Sequence, residues 1–194
     1  MKARELLPVD DEIVLVPRHA GDAAEMYALV DTHRAHLREW LGWVDGTRNT
    51  GDMRRYAQYA EAQFESRLAF DYAISVGGAI AGSIGLHALD WSNRNAQIGY
   101  WLAPTARGRG AVTRACATLV TFALRQLALQ RLEIRCAVAN ARSRAVPERL
   151  GFLYEGTLVE AHALHGQFHD LALYATTASR WRPARAAKRL SERG

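Results

Sequence analysis

Tyr100-Trp-Leu-Ala-Pro-Thr-Ala-Arg-Gly-Arg-Gly-Ala-Val-Thr113 joins a β-like run to a helical one through a short loop holding Arg107, Gly108, Arg109 and Gly110. The two glycines let the backbone approach a ligand with no Cβ in the way. The helix that follows aims the unpaired N–H groups of its first turn back at the loop, and arginines flank them. That arrangement suits a pyrophosphate. It is not a Walker A loop, because no Gly-Lys-Ser/Thr follows, and the dinucleotide pattern G-x-G-x-x-G is incomplete. The stretch reads as a phosphate-cradling loop of another kind; alone, it could also be a plain glycine-rich turn.

Working downstream, Val112, Cys116, Leu119, Ala123 and Leu127 fall on one helix face. Arg131–Val138 alternates Leu132, Ile134, Cys136 and Val138 with polar or small residues, as a strand does. Ala141–Leu150 reads as a short helix closed by Gly151, and Pro147 inside it predicts an irregular start or a kink. Phe152–Leu164 and Phe168–Thr177 form a closing hairpin through Gly166.

Upstream, Ala96–Leu102 is a strand after the polar turn Asp90–Asn95, and Phe70–Val76 and Ala79–Leu89 are strands turned by Gly77-Gly78. Met53, Tyr56, Ala57, Ala60 and Phe64 recur at helical spacing. His33–Trp43 continues as helix or tight turn, with Trp40 and Trp43 on neighbouring turns. Asp22 with Glu25 makes a capping-box-like start for a helix to about Val30, and Ile13–Val16 is a short strand. Strand–helix alternation is confined to the second half, so the class is a mixed α/β (α+β) layer structure and not a doubly wound fold.

A chain of 194 residues, 49% hydrophobic, suits one well-packed domain. No apolar run approaches the ~18 residues of a membrane helix. Residues 1–12 lack the uninterrupted apolar core of a signal peptide. Cys116 and Cys136 read as small buried hydrophobes and offer no disulfide framework, which predicts a reducing, cytoplasmic setting. The net charge of +5 is carried by residues 180–194, where six bases face one acid, so the body is neutral. The expected organisation is a domain over residues 1–179 and a basic C-terminal tail over 180–194. The tail reads as a solvated extension or as a segment that touches ribosome or RNA.

Four segments, in this order and spacing, carry a family resemblance over about residues 10–177. They are His36-Leu-Arg-Glu-Trp-Leu-Gly-Trp-Val44; Ile98-Gly-Tyr-Trp-Leu102 with Arg107-Gly-Arg-Gly110; Asn140-Ala-Arg-Ser143 with Glu148-Arg-Leu-Gly-Phe152; and the late Asp170…Tyr174 strand. The chain resembles the Gcn5-related N-acetyltransferases (GNAT), and more narrowly the RimJ/RimL-type ribosomal-protein N-terminal acetyltransferases. The resemblance implies a single domain whose mostly antiparallel central sheet is splayed between its fourth and fifth strands, 96–102 and 131–138, with helices on both faces. It implies acetyl-CoA as co-substrate and no metal.

The family motif Q/R-x-x-G-x-G/A, aligned on Gly108 and Gly110, has Thr105 at its first position, a departure that leaves the backbone cradle intact. By the resemblance, N–H groups of Arg107, Gly108, Arg109, Gly110, Ala111, Val112 and Thr113 would hold the diphosphate. Backbone near Trp101, Leu102 and Ala103 would hold the pantetheine arm together with Asn140. Ser143 would face the departing sulfur, a role chemically sensible for a hydroxyl donor; it could equally be a helix N-cap.

The glutamate that deprotonates the amine in such proteins corresponds to His162 here, with Glu160 two residues earlier and therefore on the same side of a regular strand. A histidine near its ordinary pKa of ~6.5 is a competent base, while both residues could also be plain hairpin surface. His162, His165 and His169 lack metal-ligand spacing. Trp40, Trp43 and Tyr100 would line an acceptor groove or belong to the core. The expected acceptor is a protein N-terminal α-amine, with a small-molecule amine such as an antibiotic or polyamine as alternative. A non-catalytic CoA-binding or ribosome-docking module is the reading from a different class. Relatives of this kind are often dimers, and the aromatic region 36–64 is the candidate interface.

Overall fold

The computed structural model describes residues 5–182; the basic tail beyond Arg182 and the first four residues lie outside the described residues. Within the described residues eight strands form one sheet in the order β1-β2-β3-β4-β5-β6-β8-β7. They are β1 (Leu7–Pro8), β2 (Ile13–Pro17), β3 (Phe70–Val76), β4 (Ala79–Asp90), β5 (Asn95–Leu102), β6 (Arg131–Ala137), β7 (Leu153–Leu164) and β8 (Gln167–Thr177). Every neighbouring pair is antiparallel except β5 with β6. Gly77 and Gly78 both take positive φ, at 59° and 86°, as a tight two-residue hairpin requires.

Among the described residues five α-helices cover the sheet: α1 (Ala23–Thr32), α2 (Arg34–Leu37), α3 (Thr50–Glu65), α4 (Ala111–Arg125) and α5 (Ala141–Leu150). Alternation along β3 shows which face each one takes. Phe70 and Tyr72 meet Phe122 of α4 edge-on, at ring separations of 6.2 and 6.4 Å, in a cluster with Cys116, Leu119 and Val120. Ala73, the next residue along the strand after Tyr72, faces the other way into a second cluster with Met26, Val30 and Met53 of α1 and α3. Helices therefore lie on both faces.

Three local expectations change. The capping box is one turn earlier than Asp22/Glu25: Asp22 reaches back to accept the His19 N–H at 3.0 Å, while the His19 ring accepts the Gly21 N–H at 2.9 Å. Glu25 is drawn off by the sheet and accepts the Ile80 N–H at 2.7 Å. Asn140, not Ser143, is the N-cap of α5, its Oδ1 accepting the Ser143 N–H at 3.0 Å. The body also runs past residue 179: Trp181 is buried, packs edge-on against Phe152 at 6.3 Å and donates its indole N–H to Thr121 Oγ1 at 3.1 Å. A charge count could not see an anchor made by one aromatic ring among arginines.

Candidate active site

β5 and β6 start side by side and then part. They pair only through Asn95–Gln97 and Arg131–Glu133, and no pairing continues beyond Gln97. A strand that leaves its neighbour exposes a row of backbone donors and acceptors. Ala103 N–H points the other way, to Ala81 O at 2.8 Å. By alternation Trp101 also addresses β4, which leaves the backbone groups of Tyr100 and Leu102 facing the gap.

The gap opens into a cavity of about 1270 Å³. The Arg107–Gly110 loop forms one end of it. Gly108 and Gly110 adopt φ of 84° and 68°, and a Cβ built on either would touch nothing within 4 Å, so the loop presents bare backbone. Gly110 caps α4 with no side chain, and the N–H groups of the first helical turn remain free to bind an anion. Thr113, in that turn, lines the cavity with its Oγ1 buried and without a partner among the described residues. A buried hydroxyl left unbonded is a donor waiting for an acceptor. Arg107, Arg109, Arg114, Arg142 and Arg149 line the same space. Arg109 and Arg114 are braced by Glu12, and Arg114 also by Asp10 at 2.7 Å. The chemistry of this donor set matches a diphosphate.

The opposite wall is the start of α5. Tyr100 crosses from β5 to donate its hydroxyl to the Ser143 carbonyl at 2.8 Å, and Ser143 Oγ lies 3.3 Å from the same tyrosine oxygen. Burial pushes the Tyr100 hydroxyl well above its ordinary pKa, so it stays protonated. Cys136 sits beneath; burial raises its thiol and a hydrogen bond with Ser143 partly offsets the rise. α5 is fixed to β8 by Tyr174, whose hydroxyl donates to Glu148 at 2.6 Å and accepts from Arg144 at 3.1 Å.

The acetyltransferase (GNAT) domain family matches residues 12–153 of this chain. The chain belongs to that family. It is 36% identical over 182 residues to a Bacillus subtilis (strain 168) protein named as a putative ribosomal N-acetyltransferase, YdaF, covering 89% of this chain and 95% of that one. Among solved structures it resembles RimL, the ribosomal L7/L12 α-N-protein acetyltransferase in complex with coenzyme A, at 28% identity and a TM-score of 0.86, over 89% of this chain and 98% of that one. It also resembles MccE, the microcin C7 self-immunity acetyltransferase in complex with acetyl-CoA and AMP, at 29% identity and a TM-score of 0.84, over 87% and 94%.

Within this acetyltransferase, the cavity brings together Trp40, Tyr100, Trp101, Leu102, the run Arg107–Thr113, Asn140 and Ser143. Ala103 is buried outside it, and Trp43 stands against Trp101 with ring centres 5.9 Å apart. Thr105 lies outside the main cavity and lines a smaller one behind the loop. Glu160 and His162 are on β7, away from the cavity lining. The register slips between Leu158 and His162, and Glu160 takes φ of 50° while its N–H bonds Asp170 Oδ1 at 2.8 Å. That bulge breaks the alternation on which a shared face for the two side chains depended. His162 faces His169 across the hairpin, whereas His165 bonds Arg38 O at 2.6 Å.

The 36–46 segment contributes more than its tryptophans. His36 of α2 is in the cavity wall, in contact with the Arg107 guanidinium. Burial, and next the Arg107 charge, lower its pKa, so it is neutral near pH 7. A lone histidine in a helical stretch carries no sequence signal for such a place. Arg142 and Arg149, also in the wall, do carry one: their seven-residue spacing puts them on one helix face. Leu164 at the hairpin tip packs against Gly42, where an added Cβ would come within 3.3 Å. The hairpin thus rests on the 34–46 segment beside the cavity.

Proposed function

We propose that this acetyltransferase moves an acetyl group from acetyl-CoA to the α-amine of a protein N-terminus. The observation that carries the reading is one cavity with an uncapped, arginine-flanked helix N-terminus at one end and a serine hydroxyl at the other, beside the free edge of a parted strand. The first turn of α4, Thr113 Oγ1 and the loop arginines receive the diphosphate. The pantetheine arm runs along the exposed backbone of β5, with Asn140 opposite. Similarity to proteins named for acetylation of ribosomal proteins supports an N-terminal acceptor.

The chemistry is a direct attack. The amine nitrogen bonds to the thioester carbonyl carbon, the C–S bond breaks with its electron pair on sulfur, and Ser143 Oγ–H hydrogen-bonds the departing thiolate. A free N–H at the β5 edge, near Leu102, holds the intermediate oxyanion. His162 and Glu160 stand outside the cavity lining, so the amine's surplus proton leaves to water; an α-amine of pKa ~7.7–8.0 is partly neutral already and needs no side-chain base. Holding amine and thioester in one cavity supplies much of the rate.

Incubation with acetyl-CoA and either N-terminal peptides or small amines, read by mass spectrometry as a gain of one acetyl group, tests the acceptor. Peptide α-amines are expected to be modified. The likeness to MccE motivates a second reading, a small-molecule amine, which acetylation of that panel alone would favour. Acetyl-CoA binding with no acetylated product would return the chain to a non-catalytic module. The same proposal includes a homodimer through the 36–64 region, where Tyr59 is 60% exposed; light scattering at one protomer's mass overturns that part.

A further inference from the structure

Pro147 stands inside α5, one turn after Ser143. In an uninterrupted helix the residue at this position would donate its N–H to the Ser143 carbonyl. Proline has no N–H to give. The vacated carbonyl is taken instead by the Tyr100 hydroxyl, at 2.8 Å. Ser143 also sits in the first turn, where its own N–H has no helical partner and goes to Asn140 Oδ1 at 3.0 Å. Both main-chain groups of Ser143 are therefore released from the helix ladder and held by side chains that line the cavity.

This matters for the serine hydroxyl. Tyr100 has one proton, and it is committed to the Ser143 carbonyl. The tyrosine oxygen can then only accept from Ser143 Oγ, 3.3 Å away, where it shares the one serine proton with the Cys136 sulfur. The result is a closed circuit: serine hydroxyl to tyrosine oxygen, tyrosine proton back to the serine carbonyl. Tyr100 rises from β5 just past the last pair with β6, so the same bond ties the two lips of the splay where the sheet hydrogen bonds stop.

We propose that Pro147 and Tyr100 are positioning residues for acetyl transfer: the proline frees the Ser143 carbonyl, Tyr100 replaces the missing helical donor, and its oxygen parks the Ser143 hydroxyl until sulfur departs. The proposal rests on the assignment of Ser143 to the thiolate. As the N–C bond forms and the C–S bond breaks, the Ser143 O–H swings from the tyrosine oxygen to the sulfur that has received the electron pair. No proton leaves Tyr100, and burial of its hydroxyl keeps it bound through the working pH range.

The test uses the full-length enzyme with acetyl-CoA and whichever peptide or amine the acceptor panel identifies. Pro147→Ala restores an N–H that competes with Tyr100 for the carbonyl, and Tyr100→Phe removes the donor. Each is expected to lower kcat about tenfold while the KM for acetyl-CoA stays within about twofold. In a Ser143→Ala background neither is expected to lower kcat further, because all three act through one hydroxyl. Pro147 is buried outside the cavity lining, so its variant reads the circuit with the binding wall unaltered, and it carries the test should Tyr100→Phe fail to fold. Wild-type kcat in Pro147→Ala, with kcat reduced in Ser143→Ala, overturns the positioning role and leaves the role of Ser143 standing. Wild-type kcat in Ser143→Ala overturns both. Additive losses in the double variants assign Tyr100 and Pro147 to general packing and overturn the proposal.

Discussion

A hydroxyl buried with no partner costs the folded chain roughly 1–3 kcal/mol, and Thr113 Oγ1 is in that position at the mouth of α4. Thr113→Val keeps the shape and removes the cost. The ligand-free variant should be more stable, by up to about that amount, in chemical denaturation. Its Kd for acetyl-CoA in calorimetry should rise about tenfold, the equivalent of about 1.5 kcal/mol for a lost charge-assisted bond. Equal Kd would remove Thr113 from the phosphate site. His36 gives a pH signature. Its folded pKa lies below the unfolded value, so in acid the unfolded chain binds more protons there. Its contribution to stability is complete above about pH 6.5 and is lost as pH falls through the folded pKa. His36→Gln should flatten the melting-temperature profile below about pH 6.5. A donor phosphate beside Arg107 offsets the guanidinium charge, so acetyl-CoA should protect the wild type against this loss.

At the scale of elements, the catalytic geometry depends on how closely β5 runs to β4. Gly82 lies opposite Leu102, and a Cβ there would fall on the Trp101 carbonyl oxygen and within 2.9 Å of Leu102 Cα. Backbone cannot move aside as a side chain can. Gly82→Ala should destabilise by about 1–3 kcal/mol, the range for overpacking, and should weaken acetyl-CoA binding as well by displacing the strand edge that receives it. Denaturant midpoints and calorimetry on one preparation check both effects. The elements themselves were legible wherever periodicity was clean: α4 from its apolar face, β3–β4 from Gly77-Gly78, β7–β8 from Gly166. The bulge at Glu160 was not, because the two extra residues leave no mark in a strand that is exposed along most of its length.

For the whole molecule, the boundary of the folded body is the testable quantity. Trp181 packs on Phe152 and is 7% exposed, so a chain cut after Ser179 loses a core side chain as well as the tail. That cut should cost about 3–5 kcal/mol, as removal of a buried tryptophan does. A cut after Arg182 removes only the basic segment, and ribosome co-sedimentation compared with the full chain isolates its contribution. The uneven placement of charge belongs to this scale too. A body neutral by count still gathers five arginines around one cavity, which raises the local potential toward a polyanionic donor.

The sequence by itself determined the class of fold, the glycine loop that leads into α4, and the order of segments that names the family. These are local: a turn needs glycine, a helix face needs its apolar period, and both are written in consecutive residues. Only the tertiary structure decided that Tyr100 reaches Ser143 across the parted strands, that His36 stands against Arg107, and that Trp181 closes the core. Each joins residues far apart in the chain through a single contact. A single contact has no period to read, because its partners are selected by how the sheet twists and where the helices land.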